Sequence, residues 1–175
     1  MFYNENGMFA PSVDPIGFSQ MGKDLQLIME RLIENENIAK LLYYGEKDAL
    51  SKQNLTATVK LSMINDHIKV VPVLPKDLEA KNYIIVQFDS FMPNSTDNMS
   101  YKEFLLTFDI FCNAQNWILD DYQLRPYAIM NEIDKMFNTS KLNSSGPINF
   151  IGANSISINE NLLGFTVVYK IYDYK

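Results

Sequence analysis

The clearest pattern along the chain is an alternation of apolar and polar side chains between residues 101 and 112. Successive side chains of a strand point to opposite faces of its sheet. One face here is wholly apolar and the other is mixed; the apolar set is Phe104, Leu106, Phe108, Ile110 and Cys112, and the mixed set is Glu103, Leu105, Thr107, Asp109 and Phe111. The pattern predicts a long central strand that packs helices on one face and meets solvent or a partner on the other.

Alternating segments on either side of this strand predict two antiparallel hairpins. Residues 82–90 alternate and are joined to the central strand by a polar loop that begins at Phe91. Phe91 and Met92 lie at the base of this loop, where they either contact a partner or pack beneath the loop. Residues 148–158 and 164–174 flank a short polar turn and predict the second hairpin.

Two segments show the apolar spacing of helices. Residues 23–44 have it, with Asp24 as a possible N-cap, and a polar run at 34–37 predicts a kink or short break. Residues 125–138 have it again, and Pro126 suits the first turn of that helix. The sequence therefore predicts a broken helix before the first hairpin and a single helix between the hairpins.

The remaining segments are less regular. Residues 47–52 fit one additional helical turn, and any strand within 54–80 is confined to a sheet edge by Pro72 and Pro75. Residues 1–20 contain two prolines and two glycines among aromatic side chains, which predicts an extended arm. We expect this arm to pack either on a neighbouring subunit or on its own domain.

The order of elements is helix pair, hairpin, helix, hairpin. This order predicts an α+β fold: an antiparallel sheet of about four strands with helices packed on one face, plus the extended N-terminal arm. A chain of 175 residues fits one domain. We therefore expect a single α+β domain over 21–175 that follows the arm at 1–20.

Charge and hydropathy narrow the classes of function. The net charge is -6, and sequence-reading nucleic-acid binders usually carry a basic patch instead. A surface that DNA must slide past would favour this sign of charge, because repulsion prevents sticking. No apolar run approaches the roughly 18 residues of a membrane span, and the N-terminus lacks a signal peptide pattern. We expect a soluble protein without a membrane partner.

The sequence offers little chemistry. A single cysteine, Cys112, excludes an internal disulfide, and a single histidine, His67, removes most zinc sites. We expect Cys112 to be a buried, inert thiol and His67 to be a surface or partly buried histidine. Asp66, Glu79 and Lys81 loosely resemble the carboxylate set of Mg²⁺-dependent nucleases, but they flank a proline-rich stretch. We therefore expect no enzyme activity, no catalytic residues, no cofactor and no metal.

The stretch FLLTFDIFCNAQNWILDDYQLRPYAIMNEIDKMFN resembles the tail terminator (tail-completion) proteins of tailed bacteriophages. Proteins of that family carry a long strand, a short connection, a helix often opened by Arg-Pro, and a glycine-containing hairpin that ends near the C-terminus. The resemblance covers about residues 25–174 and leaves the arm unmatched. The corresponding features here are the strand 104–112, Arg125-Pro126, Ile151-Gly152, the strand 164–173 and, upstream, Leu41-Leu42.

The resemblance implies a structural virion protein of the tail or neck, assembled in the host cytoplasm. Such proteins form a ring, typically of six subunits, that caps the tail tube and stops its polymerisation. One ring face meets the tail tube protein and the other meets the head-side connector, with a channel for DNA between them. The alternatives are another head-tail connector or head-completion subunit, a binding module outside the virion, and the small nuclease.

For such a ring we expect subunit contacts from the arm, the base of the first hairpin loop and the mixed face of the central strand. Exposed strand edges also join neighbouring chains by main-chain hydrogen bonds. The predicted interface residues are Phe2, Tyr3, Phe9, Phe18, Phe91, Met92, Leu105 and Phe111.

Overall fold

A computed structural model describes residues 18–70, 81–93, 102–142 and 146–172. These residues form a five-stranded sheet in the order β1-β2-β3-β5-β4 with helices on one face, which confirms the α+β fold. The elements are α1 (Phe18–Glu34), α2 (Glu36–Tyr43), α3 (Ala57–Ser62), β1 (Ile68–Lys69), β2 (Tyr83–Pro93), β3 (Lys102–Asn113), α4 (Arg125–Phe137), β4 (Ile148–Asn159) and β5 (Leu162–Tyr172). Single 3₁₀ turns lie at Ala49–Ser51 and Ala114–Asn116.

The central strand of the sheet is β3, which pairs antiparallel with β2 on one side and β5 on the other. All five residues of its predicted apolar face are buried, as the alternation predicted. On this face the ring of Phe108 lies 5.1 Å from that of Phe137 in α4 and 5.9 Å from that of Tyr169 in β5. One strand thereby holds the helix layer and the second hairpin together.

The two N-terminal helices meet at Asn35, where the sequence predicted a break. The Asn35 side chain accepts a hydrogen bond from the backbone N–H of Ile38 at 3.0 Å and so caps α2. Its amide nitrogen also donates to Glu132 Oε2 in α4 at 3.1 Å. The break between the two helices therefore contains an N-cap residue, Asn35, which also links α2 to α4.

Replacing Asn35 with Ala should lower the free energy of unfolding by about 1 kcal/mol, because the first turn of α2 loses its side-chain cap. Urea titration followed by circular dichroism would measure the loss. Asn54→Ala is the matched control, since Asn54 is exposed, and it should shift the midpoint very little. Equal effects of the two substitutions would contradict the assigned cap.

The predicted start of the first helix was wrong. The helix begins at Phe18, before the predicted arm ends, and Asp24 lies within it rather than at its N-cap. Met21 extends the apolar stripe of Leu25 and Ile28 one turn upstream and packs against the core, which explains the earlier start. Asp24 is buried with its carboxylate near Gln20 Nε2 (3.4 Å), and burial raises its pKa.

Strand β1 lies at one edge of the sheet, where the sequence analysis expected any strand of this region, but its bounds and helix α3 were not predicted. Strand β1 has only two residues and pairs parallel with β2, opposite Ile84 and Ile85. The short helix α3 precedes it, so the sheet has five strands rather than about four. The region was too short and irregular for its alternation to be recognised.

Strand β2 extends further than predicted. It continues through Phe91 and Met92 to Pro93, so these two side chains belong to a strand and not to the loop. The register shifts between Asp89 and Met92, and Ser90 adopts a φ of 53° there. This bulge lets pairing with β3 resume at Met92 after the alternation is interrupted.

Candidate assembly surfaces

A buried arginine joins the start of α4 to the end of α2 and to the turn after β3. Arg125 opens α4, is fully buried, and its backbone N–H donates to the Trp117 carbonyl at 2.8 Å. Its guanidinium donates to the carbonyl oxygens of Asn116 (2.7 Å), Leu41 (2.6 Å), Tyr44 (2.9 Å) and Glu46 (2.7 Å). Leu41 and Tyr44 lie at the C-terminal end of α2, whose carbonyls lack helical partners. Arg125 therefore caps α2, while burial lowers its own pKa.

Asn82 extends this polar junction to the sheet. Its side chain donates to the Leu41 carbonyl at 3.1 Å and accepts from the Asn113 backbone N–H at 3.1 Å. Its own carbonyl lies 2.9 Å from His67 Nδ1. The histidine is buried, more deeply than the surface or partly buried position that was expected, and burial lowers its pKa. Together these bonds fix α2 and α4 over the start of β2 and the end of β3.

Two of the three residues that resemble a nuclease carboxylate set, Asp66 and Lys81, form an ion pair. Lys81 Nζ lies 3.2 Å from Asp66 Oδ1 and 3.3 Å from Asp66 Oδ2. Glu79 lies outside the described residues. Within the described ranges, no three His, Cys, Asp or Glu side chains are grouped to hold a metal ion. Of the three nuclease-like residues, the described part of the chain therefore shows only a salt bridge between the Asp66 carboxylate and Lys81.

Cys112 occupies the buried position on β3 that the alternation predicted. Burial raises the pKa of its thiol to about 12. We expect labelling by a thiol reagent near neutral pH to be at least about a thousandfold slower in the native protein than in the unfolded chain, because both access and thiolate formation are suppressed. Following the reaction in buffer and in denaturant would test this, and comparable rates would contradict the burial.

The outer edge of β4 is a candidate assembly surface. Its 12 residues, INFIGANSISIN, include no charged side chain and no proline. Among them Phe150, Ile151 and Ile158 are exposed. Residues 138–140 hydrogen-bond to Ile148 and Phe150 at the start of the strand, and beyond them no strand of the described residues pairs with the outer edge. Natural sheets usually protect a long edge with charges, prolines or a covering element. Two register shifts along β4 bend the edge strand. Bends of this kind also protect an edge, but the strand still has no charged residue.

The groove beside β4 is made up of two open pockets on the helix side of the sheet, where α4 contacts β3, β4 and β5. The volumes of the two pockets are about 260 Å³ and 290 Å³. The first is lined by Met130, Asn131, Asp134, Asn138, Phe150, Val167 and Tyr169, and the second by Trp117, Ser155, Ile156, Ser157, Leu163, Gly164 and Phe165. Asp134 is the one charged residue in these linings, and the Tyr169 hydroxyl donates to it at 3.1 Å. The groove is therefore mostly apolar and open.

The predicted interface residues lie in different places. Phe91 and Met92 are exposed, and the Phe91 ring lies 6.0 Å from that of Phe104. Leu105 is half-buried. Phe111 is only 6% exposed and belongs to a small cluster on the second sheet face. The other members of that cluster are Tyr83, Ile85, Leu162 and, partly buried, Ile156.

The remaining predicted contacts belong to the arm. Phe18 is the first residue of α1, and Phe2, Tyr3 and Phe9 lie outside the described residues. The sequence analysis expected exposed strand edges to join neighbouring chains, but it did not single out β4 and did not predict the groove beside it. The charge-free run at 148–159 was the signal that pointed to this edge, whereas no local pattern indicated where α4 would lie across the sheet.

The fold and these surfaces define a small α+β protein with an uncharged edge strand, which no described strand pairs on its outer side, and an adjoining groove that is mostly apolar. A family model described as YomW matches residues 35–171, from the cap of α2 into β5. The match covers well over half of the chain, and the chain belongs to the YomW family. No curated protein and no solved structure matches it.

None of the described helices is long and apolar enough to cross a membrane.

Proposed function

We propose that this chain is a structural subunit of a phage tail, of the tail terminator type. In this proposal copies of the chain form a ring, of six subunits by the resemblance, that caps the tail tube and stops its growth. The ring joins the tail to the head-side connector and leaves a channel for DNA. One observation carries the proposal: the region of the resemblance, about residues 25–174, includes the contiguous unit β3–α4–β4–β5, whose edge strand β4 carries no charge and is not paired on its outer side by any described strand.

The charge distribution supports association at that edge. The chain has 21 acidic and 15 basic residues, so copies that approach one another at random repel on average. β4 carries no charge between Ile148 and Asn159, so contact there avoids like charges. The opposite sheet edge, β1, has only two residues. Because the two edges differ, they suit a heterologous contact, which forms a closed ring when its rotation closes.

The same net charge supports passage of DNA. A channel lined by an acidic protein repels the phosphate backbone and does not retain it. The charge of -6 is therefore in keeping with a ring through which DNA moves without specific binding.

Tube length is the direct test of this function. Tail tube subunits would be polymerised with and without the chain, and the tubes measured by negative-stain microscopy. We expect substoichiometric amounts of the chain to end elongation, with a ring at one end of short tubes. Rings that leave tube length unchanged would contradict the terminator function and favour another neck subunit.

A matched pair of variants would connect this function with β4. Ile151→Lys combined with Ile158→Lys places two charges on the exposed edge strand and should abolish both ring formation and capping. Tyr122→Lys is the control, because Tyr122 is 90% exposed in the loop before α4, away from the edge. Full capping by the double variant would show that the edge plays no part in assembly.

A further inference from the structure

We propose that the pocket at the C-terminal end of α4 binds a lysine or arginine side chain of another protein. This pocket, the Asp134 pocket, is lined by Asp134 and Asn138 at the end of α4, by Phe150 of β4 and by Tyr169 of β5. The inference goes beyond the proposed function, because it does not require copies of the chain to form a ring. Four features support it: the charge of the pocket, its aromatic walls, its size, and the contacts of the chain's own basic residues.

The Asp134 carboxylate has acceptor positions left for a cation. Its Oδ1 accepts a hydrogen bond from the Tyr169 hydroxyl at 3.1 Å, and its Oδ2 lies 3.5 Å from Asn138 Nδ2. Both of these donors are neutral, and no lysine or arginine of the described residues forms an ion pair with Asp134. A carboxylate offers about four acceptor positions, so a charged donor can still bind here.

The end of α4 adds to this negative charge. The C-terminal end of a helix carries a partial negative charge, and Asp134 lies in the last turn of α4. The basic residue of that turn is Lys135, whose Nζ is held by Glu132 Oε1 at 2.8 Å. Asp134 is the one charged residue in the lining of the pocket. The pocket therefore attracts a cation.

Two aromatic rings form walls on which the stem of a basic side chain can pack. Tyr169 is fully buried and Phe150 is 47% exposed, and the two ring centroids lie 5.8 Å apart. Asn138 Oδ1 accepts from the Phe150 backbone N–H at 3.2 Å, which fixes β4 against the end of α4. Aromatic faces attract the head groups of lysine and arginine, and the apolar stems of these residues pack on apolar surface.

The tyrosine hydroxyl also keeps the carboxylate in place. Burial and the nearby Asp134 charge raise the pKa of Tyr169, so its hydroxyl stays protonated and continues to donate to Asp134. The volume of the pocket is about 260 Å³, whereas sites for small molecules usually measure about 300–1,000 Å³. The pocket therefore suits a single long side chain better than a cofactor.

The basic side chain is expected from a different protein. Most of the basic side chains that the structure describes already bond within the chain, and those that pair with carboxylates are Lys52, Lys60, Lys81, Lys135 and Lys170. Others, such as Lys40 and Arg125, donate to backbone carbonyls. The chain has a net charge of -6, so a second copy is repelled on average while a basic partner is attracted.

An NMR titration tests the pocket directly. N-acetyl-arginine amide would be added to the isotope-labelled, full-length protein, with N-acetyl-citrulline amide as the neutral probe of nearly the same shape. We expect saturable shifts of the Asn131 and Asn138 side-chain amides with the arginine probe, at a dissociation constant of about 1–10 mM. The citrulline probe should cause no saturable shift of these signals.

Three variants assign the binding to the charge and to the ring. Asp134→Asn keeps the shape of the side chain and an acceptor for Tyr169, and it should weaken arginine binding at least about tenfold. Glu160→Gln is the matched control, because it removes an exposed charge in the turn between β4 and β5, and its binding should be unchanged. Phe150→Leu should weaken binding about two- to fivefold. Circular dichroism would verify that each variant is folded.

The proposal is overturned if the arginine probe causes no saturable shift or if the citrulline probe binds equally well. It is also overturned if Glu160→Gln weakens binding as much as Asp134→Asn. Light scattering would compare the solution mass of Asp134→Asn with that of the wild type. The two masses should be equal, and a loss of assembly in the variant would identify the occupant as a second copy and overturn the assignment to another protein.

The outcome is separable from that of the proposed function. Arginine binding by a chain that does not shorten tubes would support the Asp134 pocket and contradict the terminator function. Tube capping by a chain that does not bind the arginine probe would support the terminator function and overturn the pocket.

Discussion

Replacing Arg125 with Met should lower the free energy of unfolding by about 4 kcal/mol. The guanidinium donates to four backbone carbonyls at 2.6–2.9 Å, and all four bonds are lost in this variant. Met is apolar and similar in size, so no large cavity forms. The decrease in the free energy of unfolding therefore measures the lost hydrogen bonds of the polar junction. At the end of α2 the Leu41 carbonyl would keep its bond from Asn82, and the Tyr44 carbonyl would lose the donor that Arg125 supplies.

The chain contains its own control for this substitution. Arg31 is the only other arginine, and its single side-chain hydrogen bond, to the Lys141 carbonyl, is exposed and 3.5 Å long. Arg31→Met should change the free energy of unfolding by less than about 0.5 kcal/mol. Guanidinium chloride titrations of both variants would make the comparison. A loss below about 1 kcal/mol for Arg125→Met would contradict the structural role assigned to this residue.

Replacing Gly164 with Ala should cost about 3 kcal/mol or more. A Cβ built on Gly164 would lie 1.6 Å from the carbonyl oxygen of Ile110 and 3.1 Å from the Cα of Phe111. Both neighbours are backbone atoms of β3, so no side chain can rotate away to relieve the overlap. β3 and β5 would have to separate where Gly164 pairs with Phe111, at the centre of the sheet.

Gly152→Ala is the matched control in the adjacent strand. A Cβ at Gly152 meets no atom within 4 Å. This substitution should be neutral or should stabilise the protein by about 0.5 kcal/mol, because Ala restricts the unfolded chain. Thermal and denaturant unfolding of the two variants would compare them directly. Equal stabilities would contradict the close approach of β3 and β5.

Local patterns predicted the parts of the fold that depend on neighbours in sequence. The alternation of β3, the break before α2, the helix opened by Arg125 and the two hairpins all follow from short-range periodicity, and the structure contains them. The prediction that Asp24 is an N-cap was wrong, because an aspartate next to an apolar stripe also occurs inside a helix. Met21, one turn upstream, shows that the stripe had already begun.

Long-range contacts explain what the sequence could not show. Pairing of β1 with β2 involves two residues and a parallel register, which leaves no alternation to detect. Arg125 was interpreted only as the start of a helix, although its side chain bonds to Leu41, which is 84 residues away in sequence. The groove beside β4 depends on where α4 lies across the sheet, and single-strand patterns carry no information on that placement.

The account predicts an assembly subunit whose stability depends on one buried polar junction and whose neighbours join at the edges of the sheet. Its central claim is tested most directly by the mass and shape of the protein in solution with tail tube subunits, measured by light scattering and negative-stain microscopy. We expect a closed ring with a central hole. A monomer that never assembles, at any concentration and even with tube protein present, would contradict the claim.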